Sequence, residues 1–91
     1  MIEFEWDERK ATVNARKHGV AFPEAASVFG DKLAVTFPDP DHSANEERFI
    51  TFGMSQSGRL LTVSHADRGD RVRIINSRRM TKRERKIYEE G

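Results

Sequence analysis

The chain has no cysteine, which excludes disulfides and thiolate zinc sites. Its three histidines, His18, His42 and His65, lie far apart, and no two have ligand spacing on one element. No apolar run approaches the ~20 residues of a membrane-spanning helix. The start MIEFEWDERK is acidic and alternating, unlike a signal peptide. P-loop, glycine-rich dinucleotide and GxSxG patterns are missing, and no serine sits in a motif that marks a nucleophile. Most common enzyme classes therefore lose their support, and a cytoplasmic protein with no membrane segment, metal or cofactor is expected. Internal repeats, low-complexity segments and linkers are also missing, so residues 1–91 read as one domain with one modest core.

What the chain does have is charge, unevenly placed. Its formal net charge is only +1. Yet Arg68, Arg71, Arg73, Arg78, Arg79, Lys82, Arg83, Arg85 and Lys86 fall within one stretch, opposed there only by Asp70 and Glu84. The rest of the chain is accordingly acidic. That distribution, rather than the net charge, predicts an anionic partner. Lys82, Arg83 and Arg85 also occupy the first turn of an expected helix, against its dipole. Such departures tend to mark functional sites. Arg85–Glu89 and Lys86–Glu90 pairs at i,i+4 would equally suit a solvated charged helix.

Ile2, Phe4 and Trp6 alternate with Glu3 and Glu5 as a short strand. Asp7 suits the N-cap of a helix running to about His18, with Gly19 in the C′ position. Ala11, Asn14, Ala15 and His18 share its inward side, so Asn14 needs a buried partner. Pro23 opens a second helix with Ala25, Ala26 and Phe29 on one side, ended by Gly30. Leu33, Val35 and Phe37 alternate as a strand that stops at Pro38-Asp39-Pro40-Asp41, and an acidic loop runs to Glu47. Three strands follow, at about 48–54, 59–65 and 70–76, joined by turns at 55–58 and 66–69. The chain then breaks at Ser77–Met80. Thr81 and Glu84 have capping-box spacing for a final helix.

Taking the more apolar parity in each strand puts Ile50, Phe52 and Met54 with Leu61, Val63, Val72 and Ile74 on the core face. Thr51, Thr62, Ser64, Arg71 and Arg73 then form the opposite, polar face. The order β-α-α-β-β-β-β-α is an α+β domain with an antiparallel meander.

RNA can be cut through its own 2′-hydroxyl without an enzyme nucleophile. That needs a proton acceptor, cations around the phosphorane, and a proton for the leaving 5′-oxygen. Arginine forks suit the phosphate oxygens. Arg73, Arg78, Arg79, Glu84, Arg85 and Tyr88 are the available set. Arg73 and Arg79 are the candidate phosphorane stabilisers, and Tyr88, Glu84 or a histidine the candidates for moving protons. Arg71, Arg78, Lys82, Arg83 and Arg85 are the expected backbone contacts. Plainer roles exist: Glu84 as a cap, Tyr88 as a packing residue, His18 at a helix C-terminus, His65 at the core edge and His42 in a loop. The same basic unit would also serve a non-catalytic nucleic-acid-binding module, or a protein-interaction domain that docks an acidic segment.

The segments FEWDERK…N…KHGV.F.EA, ERFITFG.S..GRLL and RVRIINSRRMTKRERKIYE resemble the BrnT family of bacterial type II toxins, in order and over nearly the whole chain. The resemblance implies a RelE-like fold with N-terminal helices and a C-terminal helix packed on an antiparallel sheet. It implies a metal-independent ribonuclease that arrests translation. A BrnA antitoxin would be its partner, and DNA would be met only indirectly, through the antitoxin complex. Lys17-His18-Gly19, Arg48, Arg73, Arg78, Glu84, Arg85 and Tyr88 match recurrent family positions, and the resemblance thereby adds Arg48 to the expected RNA contacts. The family's closing strand commonly reads I-S-A-R, where this chain has Ile75-Asn76-Ser77-Arg78.

Overall fold

Asp7 caps the first helix as its chemistry dictates. In the computed structural model, which describes residues 2–91, its carboxylate accepts from the N–H groups of Arg9 and Lys10 at 2.8 and 3.2 Å. Gly19, at φ 69°, ends that helix by donating to the Ala15 carbonyl at 2.9 Å. The elements are β1 (Glu3–Glu5), α1 (Glu8–His18), α2 (Phe22–Ser27) with a 3-10 turn at Val28–Gly30, and β2 (Val35–Pro38). A 3-10 turn at Pro40–His42, then β3 (Arg48–Met54), β4 (Leu60–Arg68), β5 (Arg71–Arg79) and α3 (Lys82–Glu90) complete the chain. This is the expected order. The final break is narrower than expected, because β5 continues through Ser77, Arg78 and Arg79. Thr81 and Glu84 form the capping box in both directions.

The five strands make one sheet in the order β1-β5-β4-β3-β2. β2 to β5 form the antiparallel meander, and β1 adds at the edge parallel to β5. A parallel neighbour cannot be reached by a hairpin, so α1 and α2 lie within the connection between them. Both helices pack on one face of the sheet, where Val20, Phe22, Ala25 and Val28 meet Leu61, Val63 and Ile74. Phe4, Trp6, Ala11, Phe29 and Val72 border this cluster.

The partner that Asn14 requires is β5 itself. β1 pairs β5 only at Arg71, Val72 and Arg73. Farther along, the Asn14 amide takes the place of a neighbouring strand. Its Nδ2 donates to the carbonyls of Ser77 and Val20 at 2.8 and 3.0 Å, and its Oδ1 accepts from the Ser77 N–H at 3.0 Å.

One expectation about the sheet is overturned. The 55–58 turn, with Gly58 at φ 83°, sets Thr51 opposite Val63 and Gly53 opposite Leu61. The core side of β3 therefore carries Phe49, Thr51 and Gly53, while Ile50, Phe52 and Met54 lie on the other face. Space decides this. A Cβ on Gly53 would lie 2.6 Å from Val28 Cγ1, so only glycine lets β3 approach the helical layer. Thr51 is satisfied there by Thr36 Oγ1 and His65 Nε2, each at 2.7 Å. His65 is buried against Phe29 and Phe49, as expected of a core-edge histidine, and burial pushes its imidazole down.

Candidate active site

The second face of the sheet is built row by row from cross-strand pairs. Phe52, Thr62 and Arg78 form one row, Ile50, Ser64 and Asn76 the next, and Arg48, Ala66 and Arg73 the third. The α3 helix sits over the first row, fastened by two of its own side chains. Glu84 accepts from Thr62 Oγ1 at 2.9 Å and from Arg78 Nη1 and Nη2 at 2.7 and 2.8 Å. One turn on, the Tyr88 hydroxyl donates to Asp31 at 2.6 Å. The 39–47 loop bounds the face on the other side. Between them lies a cleft of about 330 Å³ edged by Asp39, His42, Arg48, Ser64, Asn76 and Arg78. It shares His42 and Arg48 with a second hollow of about 500 Å³ that reaches Glu46 and Arg73.

Even spacing along β5 would put Arg71, Arg73, Ser77 and Arg79 on one face, but a bulge prevents it. Ser64 pairs with Asn76 while the next residue, His65, pairs with Ile74, leaving Ile75 as the extra residue. Parity inverts there. Ser77 and Arg79 turn to the helical side, opposite Val63 and Leu61, and Arg78 joins Arg73 on the open face. The expected convergence of Arg73 with Arg79 is therefore corrected, and the structure groups Arg73 with Arg78 and Arg48. Arg79 instead borders a separate hollow of about 390 Å³ with Arg59, Met80 and Arg85.

The basic stretch is also less free than its sequence suggests. Glu5 lies 3.8 Å from Arg68 and 3.5 Å from Arg71, at the edge of the sheet. Glu46 lies 3.7 Å from Arg73 and 3.9 Å from Arg48 Nε, distances too long for hydrogen bonds. The Arg48 Nε is buried with no hydrogen-bond partner, an unspent donor beside the cleft. Arg78 spends its Nη1 and Nη2 on Glu84 and donates from Nη1 to the Arg79 carbonyl at 3.3 Å. Its Nε–H has no acceptor among the described residues. Lys82, Arg83 and Arg85 are exposed on α3 rather than gathered at the cleft.

Glu84 and Tyr88 are poorly suited to moving protons at neutral pH. The Arg78 fork, with the Thr81 N–H and Thr62 hydroxyl, pulls the Glu84 carboxyl down to about 2. The hydrogen bond to Asp31, aided by burial, pushes the Tyr88 phenol up to about 12. A third tied group escaped sequence reasoning. Glu24 accepts from Arg59, Ser55 and Ser57, joining α2 to the β3–β4 turn. Arg59, with those hydroxyls, holds the Glu24 carboxyl at about 2. Also unforeseen is the pairing of His42 Nδ1 with Asp39 Oδ2 at 3.0 Å. Its i,i+3 spacing across Pro40 was the available signal.

Glu24 and Glu84 make stability acid-sensitive. Both carboxyls are depressed in the folded protein, so the unfolded chain takes up protons first as pH falls. Their contribution is complete above 4.5 and lost as pH drops toward about 2. Thermal melts across that window are expected to show Tm falling, and falling less in an E24Q/E84Q double variant. Equal acid sensitivity in the two proteins would contradict this origin.

Among the described residues no helix is long and apolar enough to cross a membrane, and no three carboxylate or imidazole groups gather as metal ligands. A family model described as "Ribonuclease toxin, BrnT, of type II toxin-antitoxin system" matches residues 6–84. The crystal structure of the Brucella abortus ribonuclease toxin BrnT is similar in fold, with a TM-score of 0.70 and 22% identity. That likeness covers 90% of this chain and 100% of the other. No curated protein sequence matches the chain.

Proposed function

The chain belongs to the BrnT family, the ribonuclease toxins of type II toxin–antitoxin systems, and from that premise we propose that RNA is held and cut in the cleft between the 39–47 loop and α3. RNA is the substrate class and an antitoxin the partner that family membership gives. The observation that carries the site is the placing of Arg48, Arg73 and Arg78 on one sheet face, around two adjoining hollows that share His42 and Arg48. Their guanidinium groups hold the scissile phosphate and offset the charge that builds on the phosphorane. Because the 2′-hydroxyl is the nucleophile, this chemistry needs no metal.

Glu84 acts by presenting Arg78, and Tyr88 by holding α3 in place over the sheet. Arg79 and Arg85, in the neighbouring hollow, contact the flanking RNA backbone, as do exposed Lys82 and Arg83, and Arg71 at the sheet edge. The whole of 1–91 acts as one RelE-like toxin domain in the cytoplasm. A BrnA-type antitoxin covers the arginine cleft, with acidic groups taking the place of phosphate. Contact with DNA belongs to that complex rather than to this chain.

The test is purified chain incubated with a labelled RNA in the presence of a chelator. Cleavage to fragments ending in 2′,3′-cyclic phosphate, and binding that weakens with salt, are expected. Salt-dependent binding without cleavage would make the cleft a binding module. Neither binding nor cleavage would leave the arginines as a docking surface for protein.

A further inference from the structure

We propose that His42, oriented by Asp39, is the general base that takes the 2′-hydroxyl proton from RNA bound in this cleft. The inference rests on the cleft being the site of cleavage, and adds the proton acceptor that the arginines cannot supply.

The geometry is that of an oriented imidazole. Asp39 is fixed by its backbone, whose N–H donates to the Arg48 carbonyl at 2.8 Å and whose carbonyl accepts from Ser43 Oγ at 2.6 Å. Its carboxylate, only 14% exposed, lies 3.0 Å from Nδ1 of His42. A carboxylate can only accept, so Nδ1 carries the proton and Nε2 keeps its lone pair. The ring itself is 67% exposed, so the protein around it does not block access. It borders both hollows, together with Arg48. The charged groups around it are Asp39 and Asp41 on its own turn, Glu46 on the loop, Arg48 on β3, and Arg73 and Arg78 on β5. Imidazole and guanidinium groups thus meet where a phosphate and its 2′-hydroxyl would sit side by side. The rival carboxylate and phenol at this face, Glu84 and Tyr88, are each committed to an internal hydrogen bond.

In the step, Nε2 accepts the proton as the 2′-oxygen forms its bond to phosphorus. The bond from phosphorus to the 5′-oxygen breaks, and that oxygen takes a proton from water. A 2′,3′-cyclic phosphate and a 5′-hydroxyl result, and the imidazolium returns its proton to the hydroxide left behind. Asp39 stabilises the imidazolium meanwhile.

His42→Gln is expected to lower cleavage by about 10²–10⁴-fold, and to lack the acid limb expected in the wild-type profile of kcat/KM against pH. Binding of an RNA carrying a 2′-deoxy sugar at the cleavage site should stay unchanged, since that probe cannot react. Asp39→Asn should lower cleavage as well while leaving deoxy-RNA binding intact, because an amide no longer holds the proton on Nδ1 and the lone pair on Nε2. If the wild type cleaves and His42→Gln cleaves equally, with its acid limb intact, His42 is not the base although the cleft reading stands. If the wild type cleaves nothing, that reading falls and the inference falls with it. His42→Gln that loses deoxy-RNA binding in step with cleavage would make His42 a binding residue instead.

Discussion

Replacing Arg78 with alanine is expected to lower RNA cleavage by about 10²–10³-fold, the scale of losing one charged stabiliser of a transition state. Arg79→Ala should cost far less. The two residues are neighbours in sequence, yet the bulge at Ile75 turns them to opposite faces of the sheet. Only Arg78 borders the cleft that also holds Arg48 and His42. Its fork on Glu84 fixes the guanidinium plane before substrate arrives, so little orientational freedom remains to be lost in the transition state. Arg78→Lys separates charge from geometry. It keeps the cation but not the fork, and should retain most RNA affinity while losing most of the cleavage rate. Glu84→Gln should fall between wild type and Arg78→Lys. Single-turnover rates with folding checked by thermal melts decide the matter, and Arg79→Ala proving as damaging as Arg78→Ala would place the chemistry on the other face.

Asn14→Leu should be the most damaging single substitution to stability, at about 3 kcal/mol or more. Asn14 makes three hydrogen bonds in the buried interior. Leucine would fill the space yet strand the N–H and C=O of Ser77, and each buried unsatisfied group costs about 1–3 kcal/mol. For a domain of this size that is roughly 12 °C or more in Tm. Asn14→Asp should do no better, since it sets a carboxylate against two carbonyl oxygens. Cleavage should suffer as well, because Ser77 is bonded directly to Arg78 along β5. Urea unfolding is the direct measurement. A loss within about 0.5 kcal/mol of wild type would show that water or backbone adjustment replaces the amide.

Both predictions start from residues whose partners differed in legibility. Asn14 announces its need on the inward side of α1, and the structure names Ser77 as the answer. Arg78 and Arg79 are indistinguishable in sequence, because strand parity can be counted only where the strand has no bulge. A different failure affected β3, which has no bulge against β4. Its apolar parity, Ile50, Phe52 and Met54, looked like core, yet pairing with Leu61 and Val63 selected Thr51 and Gly53 instead. The apolar set lies on the second face, where Phe52 packs beside Phe37 at 5.6 Å between ring centroids. A sheet with a helical layer on one face and a helix on the other needs apolar residues on both.

The amino-acid order by itself determined the caps at Asp7, Gly19, Thr81 and Glu84, the succession of helices and strands, and the motifs of the family. All of these depend on groups within a few residues of one another, so local hydrogen bonding and periodicity suffice to write them. Only the folded chain decided which arginines share a face, which acids restrain them, and that a loop histidine stands beside them over an aspartate. Those choices depend on the register between β4 and β5 and on the return of the 39–47 loop over the sheet, and distances between remote segments are set by packing.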